Sequence, residues 1–161
     1  MHISEGGLDD PRVIALLRTH LLRARAETAP GSAHALDLSG LRAPEVTFWS
    51  VWSGDEESGE RALVGVGALK RLSDTHGEVK SMHTAEATRG RGVGSALLRH
   101  IIAQAASRGM TRLSLETGSW PYFASARALY ARHGFVVCSP FGEYGLDPNS
   151  VFMTRALSSD G

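Results

Sequence analysis

Arg89-Gly90-Arg91-Gly92-Val93-Gly94 places three glycines and two guanidinium groups in one short loop, directly ahead of a run with helical periodicity. The first backbone N–H groups of a helix have no internal partner and point outward. The helix dipole adds partial positive charge at the same end. Glycines let an anion approach the backbone where Cβ atoms would obstruct it, and Arg89 and Arg91 can add charge-assisted hydrogen bonds. The chemistry is that of an anion cradle, and a diphosphate is its natural guest. A Walker loop needs a lysine after its glycines, and none follows here. A dinucleotide-binding turn needs G-x-G-x-x-G, but Leu97 stands at the third position counted from Gly92. Glu116 lies about where a ribose-binding acid would fall, which keeps the dinucleotide reading open. So does the plain alternative of a glycine-rich turn with two solvated arginines.

The elements around the loop must position it. His2 to Gly6 reads as a short first strand. Asp10-Pro11 opens a helix, with Pro11 at the first helical position, Ile14, Leu17, Leu21 and Ala24 on its apolar stripe, and Ala29-Pro30-Gly31 as the stop. A connection follows with a helical turn around Leu36 to Leu41. Thr47 to Trp52 and Arg61 to Leu72 read as paired strands. Gly65 and Gly67 in the second suggest close approach by a ligand or another backbone. Glu78 to Thr84 is a third strand, with Val79, Ser81 and His83 expected on one face and Lys80 and Met82 on the other. After the glycine loop, Val93 to Arg108 is an amphipathic helix with Val93, Leu97, Ile101 and Ala105 on one stripe and Gly109 at its end. Arg112 to Thr117 is a strand, Phe123 to His133 a helix closed by Gly134, and Phe135 to Cys138 and Val151 to Leu157 the last strands. The order predicts a mixed α/β domain over residues 1–157, with a frayed tail at 158–161. The strand–helix–strand stretch 78–117 predicts a locally parallel pair.

Composition narrows the function. Seventeen basic residues balance seventeen acidic ones, so a general nucleic-acid binder is not expected. No apolar run approaches the ~20 residues of a membrane span, and the start of the chain does not read as a secretory signal. A single cysteine excludes an internal disulfide and fits a reducing, cytoplasmic setting. Cys138 has no motif partner and follows Phe135-Val136-Val137, so it is expected as a packed core thiol. The seven histidines lack metal-ligand spacing. No metal is expected, and they read as surface or capping groups with only His83 near the site.

Two segments carry a family resemblance. Arg89, Gly92 and Gly94 match [QR]-x-x-G-x-[GA], which resembles the acetyl-CoA signature of the GNAT N-acetyltransferase superfamily. Ala126-Arg127-Ala128-Leu129-Tyr130-Ala131-Arg132-His133-Gly134-Phe135 resembles that family's A-x-x-L-Y-x-x-x-G-F helix and strand. The resemblance covers nearly the whole chain. It implies the GNAT fold, a central mixed sheet of about seven strands flanked by about four helices. In that family the strand before the glycine loop splays from the next parallel strand, and the pantetheine arm of the cosubstrate acetyl-CoA pairs with the opened backbone. By position, Met82, His83 and Thr84 would pair with it, and a backbone N–H near Met82 would polarise the thioester carbonyl. Gly90, Arg91, Gly92, Val93, Gly94 and Ser95, with Arg89, would hold the diphosphate. Ala126, Tyr130 and Phe123 would line the cofactor; Phe123 stands where the family often has asparagine.

The resemblance further implies direct acetyl transfer to a primary amine in a ternary complex. Tyr130 is then the general acid for the leaving thiolate, while Glu78 and Glu116 are candidate bases. Acceptor pockets of the family draw on the first helix, the loop after the second parallel strand and the final hairpin. Here these regions offer Trp120, Tyr122, Phe123, Glu143, Tyr144 and Asp147. Glu78, Lys80, Glu116, Trp120 and Tyr144 are the expected acceptor contacts, with Lys80 paired to one of the acids. Aromatic walls with a few acids suit a small cationic amine with an apolar body. A protein N-terminus or lysine as acceptor, a non-catalytic acyl-CoA-binding module and a homodimer stay open.

Overall fold

The computed structural model describes residues 1–26, 38–54, 61–85 and 90–157. The order is β1 (His2–Glu5), α1 (Pro11–Ala26), α2 (Leu38–Leu41), β2 (Val46–Ser53), β3 (Ala62–Arg71), β4 (His76–Thr84), α3 (Val93–Ser107), β5 (Arg112–Gly118), a 3-10 turn (Pro121–Phe123), α4 (Ala124–Arg132), β6 (Val136–Cys138) and β7 (Ser150–Ala156). The strands form one seven-stranded sheet in the order β1-β2-β3-β4-β5-β7-β6. Among the described strands only β4 and β5 pair in parallel, as the crossover through α3 requires. The expected stop of α1 at Ala29-Pro30-Gly31, residue Arg89 and the tail 158–161 lie outside the described residues.

The sheet separates two cores. On one face Leu97, Leu98 and Ile101 of α3 are fully buried against Leu69, Val79, Leu113 and Leu115, and Tyr130 of α4 joins them. Each such aliphatic side chain is worth about 1.5–3 kcal/mol of transfer free energy. The strand glycines are explained here. A Cβ on Gly67 would stand 3.1 Å from Leu97 and 3.2 Å from Ile101, and one on Gly65 would stand 3.1 Å from Val93. Their absence lets α3 sit close to β3. On the opposite face Val13 and Leu17 of α1 and Leu41 of α2 pack on Phe48, Trp52, Val66 and Ala68. The buried stripe of α1 therefore runs through Val13 and Leu17, one position away from the expected Ile14.

Two expectations are corrected. The first is the alternation of β4. Lys80 pairs with Ala68 but His83 pairs with Val66, so the register slips by one residue between them. Ser81 takes up the extra residue with φ of 52°, which costs a non-glycine residue of order 1 kcal/mol. This bulge reverses the side-chain phase. Lys80 and His83 both face the α1 side, because Ala68 and Val66 both belong to that core, whereas Met82 packs on the α3 side. The second correction is Cys138. The apolar run before it is not buried: Val136 is 62% and Val137 73% exposed, and Cys138 itself is half-buried. The reason is that β6 is a three-residue edge strand paired with β7 alone.

Candidate active site

The parallel ladder between β4 and β5 stops at Glu78↔Ser114, although β4 continues to Thr84 and β5 to Gly118. Beyond that point the strands part. A cavity of about 460 Å³ lies against the unpaired stretch of β4. From the α3 and α4 side it is lined by Met82, Thr84, Gly90, Gly92, Val93, Gly94, Ser95, Phe123, Ala126, Leu129 and Tyr130, and from the α1 side by His20 and His83. The space thus reaches both faces of the sheet.

One end of the cavity is the N-terminus of α3. Gly92 is its cap residue, with φ of 81° and no side-chain cap, and the first turn holds no acidic residue. Among the described residues, the leading N–H groups of α3 thus have neither a capping side chain nor a carboxylate in their own first turn. Among the described residues, a Cβ built on Gly90 or Gly92 would meet nothing within 4 Å, which leaves space there for a guest. Ser95 is fixed by a 3.1 Å hydrogen bond with Nε2 of His133. Burial, with Arg99, Arg132 and Arg155 nearby, holds the His133 imidazole below its usual range. Gly92→Val would force a β-branched residue to positive φ and fill the anion's approach. Hydrogen bonds to a diphosphate held there would be worth about 1.5–3 kcal/mol. CoA affinity measured by calorimetry is therefore expected to fall by about 10–100-fold in a protein that still folds. Unaltered affinity would show that no diphosphate rests there.

The wall opposite comes from α4. Tyr130 is buried, its ring edge-on to Phe135, and burial pushes its phenol up to about 12. Phe123 lies flat against Gly118, where any Cβ would fall inside its ring. Nη1 of Arg127 donates to the carbonyl oxygens of Gly118 (2.6 Å) and Trp120 (3.0 Å). Glycine at 118, the ring and the guanidinium together pin the end of β5 to α4, away from β4.

The other face carries a polar cluster. Nζ of Lys80 donates to Oε2 of Glu78 (3.1 Å) and to the hydroxyl of Tyr144 (2.8 Å), and that hydroxyl donates to the same Oε2 (2.7 Å). The side chains of Glu78 and Lys80 are only 3% and 8% exposed. Burial, and then the hydrogen bond and charge of Glu78, push the Tyr144 phenol well above its usual range. Tyr144 packs on Phe141 and Phe152. Glu116, the partner of Phe152 across the β5–β7 ladder, is half-buried and accepts a 2.8 Å hydrogen bond from Ser150. Beside it, Nε2 of His76 is 2.7 Å from Oγ of Ser114, which is 2.9 Å from Oγ1 of Thr154.

The family profile described as the acetyltransferase (GNAT) family matches residues 15–135. The chain belongs to that family. It is 50% identical to the N-acetyltransferase YsnE of Bacillus subtilis (strain 168), over 98% of this chain and 100% of that one. It is 47% identical to YedL of Escherichia coli (strain K12), over 96% of this chain and 94% of that one. It is 39% identical to the IAA acetyltransferase of Azospirillum brasilense, over 78% of each. Among solved structures, a Klebsiella pneumoniae protein assigned as an acyl-CoA N-acyltransferase superposes with a TM-score of 0.79 at 32% identity, covering 98% of this chain and 97% of that one. A GNAT acetyltransferase from Elizabethkingia anophelis, solved with acetyl-CoA bound, gives 0.69 at 18% identity over 97% of each chain, a likeness of fold.

The protein is thus a GNAT acyltransferase. Its sheet places the residues singled out from the sequence in two groups. Met82, His83, Thr84, Gly90, Gly92, Val93, Gly94, Ser95, Phe123, Ala126 and Tyr130 border the cavity, while Arg91 is exposed beside it. Glu78, Lys80, Glu116 and Tyr144 gather on the α1 face. Trp120 joins neither: it is 38% exposed and its Nε1 donates to Asn149 at 2.8 Å. The expectation that His83 alone among the histidines approaches the site is corrected. His20 of α1 stacks on it, with centroids 4.4 Å apart and planes at 28°. The signal was available, since His20 follows Leu17 by three residues on the inner stripe of α1.

Proposed function

We propose that this protein transfers the acetyl group of acetyl-CoA to a primary amine of a small molecule, by direct attack in a ternary complex. The reading rests on one observation: the cavity against the unpaired stretch of β4 joins an uncapped glycine-flanked helix N-terminus to His20 and His83 on the opposite face. When bound, acetyl-CoA supplies an activated acyl carbon. The leading N–H groups of α3, with Arg89 and Arg91, hold its diphosphate, and the β4 backbone at Met82, His83 and Thr84 holds its pantetheine. Phe123 and Ala126 pack against that arm. Tyr130 donates a proton to the departing sulfur. Glu116 draws the acceptor's positive charge from beyond the cavity lining, with Tyr144 as an aromatic wall and Lys80 and Glu78 as the fixed floor beneath. The bond network around Glu78 favours this holding role over that of a base.

The test is a thermal-shift series with acetyl-CoA, followed by an amine panel read by free-thiol release. IAA is tested alongside the panel because a relative is named for it. Acetyl-CoA at one hundred times its dissociation constant is expected to stabilise the fold by about 2.7 kcal/mol, and at least one small amine to release thiol. An unmoved melting temperature would overturn the cofactor assignment. Thiol release with peptide amines alone would move the acceptor to a protein.

A further inference from the structure

We propose that the stacked imidazoles of His20 and His83 take the proton that the acceptor amine must lose before it attacks. The inference rests on the acetyl-transfer reading of the cavity and adds to it the destination of that proton. An alkylamine is almost entirely ammonium at neutral pH and has no lone pair to offer. A base must therefore border the space where amine and thioester meet. Among the described residues lining the cavity, the ionisable groups are His20, His83, Tyr122, Tyr130 and Arg132. Phenols and guanidinium groups are already protonated near neutrality, whereas a neutral imidazole accepts a proton there. Neither Glu78 nor Glu116 is among the lining residues. Glu78 is held by Lys80 and Tyr144, and Glu116 is engaged by Ser150.

The bulge at Ser81 makes the arrangement possible. Unbroken alternation would turn His83 to the α3 side. With the register slipped, its ring comes to the α1 face, where His20 covers it. Two stacked imidazoles can carry one proton between them without facing two like charges. Among the described residues, charged groups near the pair include the bonded Glu78 and Lys80 further along the same face of β4, Arg23 one helical turn beyond His20 on α1, and Arg132 across the cavity. The proton account closes. The pair takes the first proton from the ammonium. As the N–C bond forms and the C–S bond breaks, Tyr130 gives its proton to sulfur and recovers the nitrogen's second proton. The imidazolium releases its proton to water, leaving amide, CoA thiol and one proton.

The test uses His20→Gln, His83→Gln and the double variant, with the best acceptor of the amine panel. The double variant is expected to lose roughly 10²–10⁴ in kcat, while its thermal shift with CoA stays that of the parent. The acidic limb of the parent's pH–rate profile is expected to disappear in the double variant. Added imidazole is expected to restore turnover to His83→Ala. Parent-like turnover in the double variant would overturn the proposal. So would an acidic limb that persists there and disappears in Glu116→Gln. Loss of the CoA shift in step with turnover would make the pair part of the cavity wall and no base. Absence of thiol release by the parent with every amine is a different result: it removes the acetyl-transfer reading, and this proposal falls with it.

Discussion

In Tyr130→Phe, turnover is expected to fall by roughly 10²–10⁴ while the melting temperature and CoA affinity stay close to those of the parent. The ring remains, so its packing in the α3-side core and its edge contact with Phe135 remain. Only the hydroxyl goes. Burial holds that phenol at about 12, so it keeps its proton throughout pH 6–9 and is available to a developing thiolate over that whole range. The loss in kcat is accordingly expected to be flat with pH, and any limb in the parent profile belongs to another group. A contact that forms mainly as the thiolate develops changes kcat more than ground-state affinity. The measurement is kcat and melting temperature on one preparation. A variant with parent-like turnover and a lower melting temperature would make Tyr130 a packing residue, and the leaving sulfur would take its proton from water.

The glycine loop and the Ala126 to Phe135 segment were readable because their requirements are local. Open space at a helix start asks for glycine, and an inward aromatic on a short helix asks for fixed spacing. The parting of β4 from β5 was legible only through the resemblance, since no residue type marks where a parallel ladder ends. The bulge was hidden for a sharper reason. Glycine or asparagine would have announced the left-handed backbone, but Ser81 adopts it at φ 52°, and period-two reasoning then assigned Met82 and His83 to the wrong faces. The Val136-Val137 pair misled because an apolar run on a short edge strand looks the same in sequence as one in a core. The pairing of Lys80 with an acid was readable as a geometric expectation. Its third member, Tyr144, was not, because it arrives from a loop 64 residues away.

That third member makes Lys80 a position where a single substitution is expected to destabilise the fold strongly. Glu78 and Lys80 are two apart on β4, share a face and are nearly sealed from water. Removing one charge of such a pair leaves the other buried without its partner, which typically costs about 3–5 kcal/mol. Lys80→Met keeps the aliphatic stem and deletes only the ammonium, so the loss reflects the stranded carboxylate, now bonded by Tyr144 alone. In a chain of this size the melting temperature is expected to drop by about 6–20 °C. Glu78→Gln combined with Lys80→Met removes both charges and is expected to recover much of that loss, so the two substitutions are strongly non-additive. The consequence extends to the acceptor face. The Tyr144 hydroxyl ties the segment between β6 and β7 to the sheet through both residues. In the double variant, acceptor KM is expected to rise while CoA affinity holds, because the proposed diphosphate cradle lies on the other face. Chemical denaturation of the parent, both singles and the double gives the coupling energy directly. A Lys80→Met cost below about 1 kcal/mol, the range of a solvated surface pair, would mean that water reaches Glu78 and that this cluster does not anchor Tyr144.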